Sequence, residues 1–108
     1  MQMMIETRTK GVLQGMSIEF ARTRLRLSKS ALARILGVDP SAIYRWEHAR
    51  EPSIDPFHER LLEVVITIST FPRSAELGLE LEKASMEDPL RALYLLLGMA
   101  FNDWSQDA

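Results

Sequence analysis

The stretch from Ser28 to His48 constrains this chain more than any other, because its punctuation admits only two short helices with a tight corner between them. Ser28 is a residue type that caps helix N-termini, so a helix is expected over about Lys29 to Leu36. It stops at Gly37, which accepts the left-handed backbone that a side chain penalises. Asp39-Pro40 then opens a second helix, which runs to about His48. Asp39 is placed to cap free N–H groups, and Pro40 suits the first helical position because no donor is needed there. Helices this short and this closely joined must cross steeply and touch. Ala33 is small where the second helix approaches, Leu32, Leu36 and Val38 fill one side of the contact, and Ile43 and Trp46 bury one side of the second helix.

With Ile43 and Trp46 inward, the helical period puts Ser41, Tyr44, Arg45 and His48 on the opposite side. That side holds donors, acceptors and a cation, the chemistry needed to meet base edges and phosphates in a major groove. The run Leu27-Ser28, Leu32-Ala33, Leu36-Gly37-Val38, Ile43 and Trp46-Glu47 resembles the Cro/Xre-type, lambda-repressor-like helix-turn-helix family. The resemblance implies an all-α bundle over about Ser17 to Phe71, with duplex DNA as its partner. It also implies roles by position. Lys29 stands at the phosphate-contacting place where members often carry Gln; a cation still holds a phosphate oxygen, without the amide's paired hydrogen bonds. Ser41, Tyr44 and Arg45 take the base-reading places, Arg45 suiting guanine O6 and N7 or a phosphate, and Tyr44 a thymine methyl or a phosphate. Pro40 stands where many members have a polar side chain, which removes one contact. Ser30, His48 and Arg50 complete the expected DNA-binding set.

The remaining chain reads as further helix. Ser17 is the expected cap of a first helix, with Ile18, Phe20, Ala21 and Leu25 as its apolar positions and Arg22, Thr23, Arg24 and Arg26 on its polar surface. Whether those arginines solvate the helix or reach phosphates stays open. Asp55-Pro56 starts a helix carrying Phe57, Leu61, Leu62, Val64, Val65 and Ile68, which ends before Pro72. A short helix follows over about Ser74 to Ala84, and Asp88-Pro89 starts a last one that reaches about Trp104. In that last helix Leu90, Tyr94, Leu97, Phe101 and Trp104 alternate spacings of four and three, as in a two-helix seam, and Leu93, Leu96 and Ala100 widen it. The stripe is broader than one small domain needs, so a homodimer contact is expected there, with Gly98 either admitting a close neighbour or loosening the helix. The expected organisation is an N-terminal arm over 1–16, a helix-turn-helix domain over 17–71, and a C-terminal helical dimerisation or partner-binding region over 72–108.

Charge and composition narrow the function. The net charge is -2, yet residues 8–50 carry nine bases (Arg8, Lys10, Arg22, Arg24, Arg26, Lys29, Arg34, Arg45, Arg50) against three acids. Residues 61–108 carry three bases against eight acids. A basic half suits a DNA-facing surface and an acidic half a partner-facing or solvated one. The absence of cysteine removes thiol nucleophiles and thiolate zinc sites and fits a reducing cytoplasm. His48 and His58 lack partners at ligand spacing, and no phosphate loop or nucleophile elbow is present, so no metal, no cofactor and no enzymatic activity are expected. No apolar run is long enough to span a membrane. The leading expectation is a cytoplasmic, bacterial or phage repressor that binds an inverted-repeat operator as a homodimer. Two alternatives stay open: an antitoxin that autoregulates its operon and binds a toxin through 72–108, and a protein-interaction module without DNA binding.

Overall fold

The computed structural model describes residues 13–107 and, over 102–107, the course of the backbone alone. The expected arm over 1–16 lies mostly outside the described residues. Six helices and no strands occur among the described residues: α1 Gly15–Arg24, α2 Lys29–Leu36, α3 Pro40–His48, α4 Pro56–Ser69, α5 Ser74–Glu87 and α6 Pro89–Asp107. The fold is all-α, as expected.

Three helix starts use the expected residue types. Ser28 accepts the Ala31 N–H at 3.0 Å, Asp55 accepts the His58 N–H at 3.1 Å, and Asp88 accepts from Leu90 at 3.2 Å. Two expectations fail. Ser17 lies inside α1, whose N-cap is Gln14. The start is displaced because Gly15 packs against the last turn of α3: a Cβ at Gly15 would overlap the carbonyl oxygens of Trp46 and Ala49. At α3, the Asp39 side chain makes no capping bond; its backbone carbonyl accepts from Ala42 at 2.8 Å instead. The helix needs that cap less, since Pro40 removes one of the free donors. The helix over 74–84 continues to Glu87, and the last one to Asp107.

One core serves all six helices. Ile18, Leu25, Leu32, Ile43, Leu62, Ile68, Leu81 and Leu96 are fully buried in it. Each such side chain contributes roughly 1.5–3 kcal/mol relative to exposure. α1 packs on α3 and α4, and α2 packs on α3, α5 and α6. α6 also packs on α4 and α5. The expected 17–71 and 72–108 regions therefore share their interior: Leu81, Ala84, Ala92 and Leu96 belong to the same cluster as Leu32 and Ile43. Leu96, expected to widen the seam, faces this core. Two other expectations are corrected. Phe20 and Phe57, read among the apolar positions of α1 and α4, are 62% and 61% exposed. Neither lies on its helix's inward arc, which in α1 passes through Ile18, Ala21 and Leu25 and in α4 through Leu61, Leu62, Val65 and Ile68.

α1 is tied to α3 by a buried ion pair. Arg22, which the sequence left as surface, is 8% exposed, and its guanidinium bonds both Glu47 carboxylate oxygens at 2.6 and 3.1 Å. A third bond, to the Leu27 carbonyl at 2.9 Å, holds the α1–α2 connection. Glu47 is 6% exposed, so both charges are removed from water and satisfied by each other.

Candidate nucleic-acid interface

The corner between α2 and α3 has the geometry its residues demand. Gly37 adopts φ 75°, ψ 32°, and the turn's N–H groups close on the Ala33 and Arg34 carbonyls. Leu32, Ala33 and Leu36 are buried on one side of the corner and Ile43 and Trp46 on the other, with Val38 half-buried between them. These seven residues sit where the sequence placed them.

α3 consequently divides into two faces. Ala42, Ile43, Trp46 and Glu47 point inward; Ser41, Tyr44, Arg45 and His48 are exposed. Arg45 has no hydrogen bond or ion pair among the described residues, so its donors are free for a ligand. Tyr44 is 53% exposed. It stacks on the His48 imidazole, with centroids 3.9 Å apart, while His48 Nδ1 lies 2.9 Å from the Tyr44 carbonyl oxygen. The two aromatic groups, four residues apart, thus form one stacked plate. Pro40, Ser30 and Arg50 are exposed, and Lys29 is half-buried at the first position of α2.

Several contributors were illegible in the sequence. The α2 start carries Ala31 where a capping box would have Glu or Gln. Glu82 of α5 supplies that carboxylate from another helix, accepting from the Ser28 N–H and hydroxyl at 3.0 Å each. Arg34 of α2 donates to the Ser85 carbonyl at 3.1 Å and to its hydroxyl at 3.3 Å. His58 reaches across the corner: Nε2 lies 3.1 Å from the Leu36 carbonyl oxygen, Nδ1 lies 2.7 Å from the Asp55 carboxylate, and the ring sits 6.2 Å from that of Trp46. The His58 hydrogen bonds hold the Asp55 carboxyl below its ordinary range.

These contacts revise the charge argument. Arg22, Arg24 and Arg34 make internal bonds, Arg24 to the Ser69 carbonyl at 2.7 Å. The basic segment therefore offers fewer free cations than its composition suggests, and Glu82 brings an acid to the start of α2. No group of metal-ligating side chains occurs among the described residues.

Residues 18–56, from the first turn of α1 to the first residue of α4, match the family model described as Helix-turn-helix. Over these residues the chain carries a helix-turn-helix domain, similar to the Cro/Xre type. Its α2 and α3 are the two helices of the motif, α3 being the recognition helix. The match supports a DNA-binding transcription regulator of that type. The helix-turn-helix match leaves α5, α6 and nearly all of α4 outside. No curated protein and no solved structure matches the chain.

Proposed function

We propose that the protein is a repressor that binds an inverted-repeat operator as a homodimer. The observation that carries this reading is the division of α3: Ile43 and Trp46 anchor it, and Ser41, Tyr44 and Arg45 stand free to enter a major groove. In this reading Arg45 reads a guanine, Ser41 and the Tyr44–His48 plate line the neighbouring base edges, and Lys29, Ser30 and Arg50 hold phosphates beside Pro40. One recognition helix reaches few base pairs. Two related by a two-fold axis read half-sites about 34 Å apart on one side of the duplex.

The α6 surface supports the dimer. Leu90, Tyr94 and Phe101 are 57%, 66% and 66% exposed, and Leu97 is 39% exposed, although α6 already has an inner face on the core. The side chain of Trp104, the fifth member of the expected seam, lies outside the described residues. The same exposed face also supports the antitoxin reading, in which a toxin takes the place of the second copy. Copurification of a stoichiometric toxin on this face, in place of a homodimer, would select that reading. No helix among the described residues is long and apolar enough to cross a membrane.

The test is selection of bound sequences from random duplex DNA, followed by anisotropy titration of the enriched site. Arg45→Ala, which removes no internal contact, is expected to weaken the site by about 1–3 kcal/mol and relax specificity at one position, with unchanged thermal stability. Lys29→Ala is expected to weaken all sequences alike and lower the salt slope by about 1. If no sequence is enriched and low-salt binding is absent, the protein-interaction module becomes the better reading.

A further inference from the structure

α1 and α4 enclose a groove of about 470 Å³ on a part of the molecule that the recognition helix does not use. That volume falls within the range of small-molecule sites. Its walls are Met16, Ser17, Phe20 and Ala21 of α1 and Ile66 of α4, and Met16 and Phe20 are 70% and 62% exposed. The polar groups at its end are unequal. The Ser69 and Thr70 hydroxyls already donate to the carbonyls of Ile66 and Thr67, at 2.6 and 2.7 Å. Arg24 is different. Its Nε donates to the Ser69 carbonyl, and its charge stands 5.9 Å from the Phe20 ring centroid, so the guanidinium is held at the groove. Among the described residues, the terminal N–H groups of this exposed side chain have no protein partner and no carboxylate pairs with it. An apolar trough that ends on a fixed, unpaired cation complements one kind of ligand: an apolar tail with an anionic head.

We propose that this groove is a binding site for an amphiphilic carboxylate, with the tail against Phe20, Met16 and Ile66 and the head on Arg24. Exposed Met and Phe suit such a tail, because an unbranched thioether adapts to its shape and a ring offers flat apolar area. The site is separate from the DNA-binding reading and is tested without DNA.

The experiment is calorimetric and NMR titration of the full chain with decanoate below its micellar concentration, in parallel with decyltrimethylammonium and 1-decanol. Saturable one-to-one decanoate binding is expected, with shifts confined to α1 and the last turns of α4, and weaker binding of the cation. Arg24→Gln should weaken decanoate about ten-fold, the value of one charge-assisted contact, and leave decanol unchanged. Phe20→Glu, at an exposed position, should abolish decanoate binding without lowering the melting temperature. Equal affinity for decanoate and decyltrimethylammonium overturns the proposal, as does an Arg24→Gln variant that binds decanoate normally. Absence of binding, or shifts centred on Leu90, Tyr94 and Phe101 of α6, also overturns it. A change from dimer to monomer in Phe20→Glu would assign the groove to a second copy of the chain instead.

Discussion

Arg22 and Glu47 stand 25 residues apart in the chain, yet their contact determines how α1 meets the recognition helix. Removing one partner leaves a charge buried without compensation, which costs more than the intact pair contributes. Glu47→Ala is therefore expected to lower stability by about 3–5 kcal/mol in urea unfolding, while a double Arg22→Met, Glu47→Leu variant should recover much of that loss. Asp55 acts on a smaller scale. Its folded carboxyl is held below its ordinary value by the His58 hydrogen bonds, so the carboxylate is favoured in the folded state. Its contribution is complete above the unfolded value of about 4 and is lost as pH falls through the lower folded value. The urea midpoint of the wild type should thus fall more steeply below about pH 4 than that of Asp55→Asn, which keeps a capping side chain but does not titrate. Equal slopes would show that the Asp55–His58 contact does not persist in solution.

Among the elements, α2 is the one whose stability depends most on another helix. Eight residues are too few for a helix to persist alone in water. Its N-terminus is closed by Ser28 from within and by Glu82 from α5, and Arg34 ties its far end to Ser85. Glu82→Ala should cost about 1 kcal/mol, the usual value of a cap, and the loss should be local. Amide exchange is expected to accelerate at Ser28 and Ala31 before it does in α4. Exchange that rises evenly across the chain would mean that Glu82 serves general stability and not the α2 start. α5 is in turn held close to the chain just after α1, since a Cβ at Gly78 would overlap the carbonyl of the C-cap residue Leu25. By contrast, the space around Gly98 in α6 is open among the described residues, so of its two readings, a close neighbour or a loosened helix, the first has no counterpart among them.

At the level of the whole molecule, the question is how the one core and the outer α6 face divide the work. Leu96 is fully buried and serves the core; Leu97, its neighbour, is 39% exposed. Under the proposed dimeric reading, Leu97→Glu should leave the monomer's thermal unfolding nearly unchanged, give monomers in sedimentation where the wild type gives dimers, and weaken binding of the selected DNA site. A Leu97→Glu protein that remains dimeric would remove α6 from the interface. The recognition corner was legible before any coordinates because its constraints are local: the Ser28 cap, the left-handed turn at Gly37, the Pro40 start, and a helical period that separates Ile43 and Trp46 from Ser41, Tyr44 and Arg45. Backbone stereochemistry and 3.6-residue periodicity act within a few residues, so linear order suffices to read them. Where the arginines go was not legible. Arg22, Arg24 and Arg34 look alike along the chain, yet one enters a buried pair, one holds the end of α4 beside an apolar groove, and one fastens α2 to α5. The same holds for Glu82, whose role as a cap exists only because α5 docks on α2, and for Phe20, an apolar position of α1 that packing leaves exposed. Long flexible side chains find their partners through packing between elements distant in sequence, and only the assembled helices establish which charges and rings are brought together.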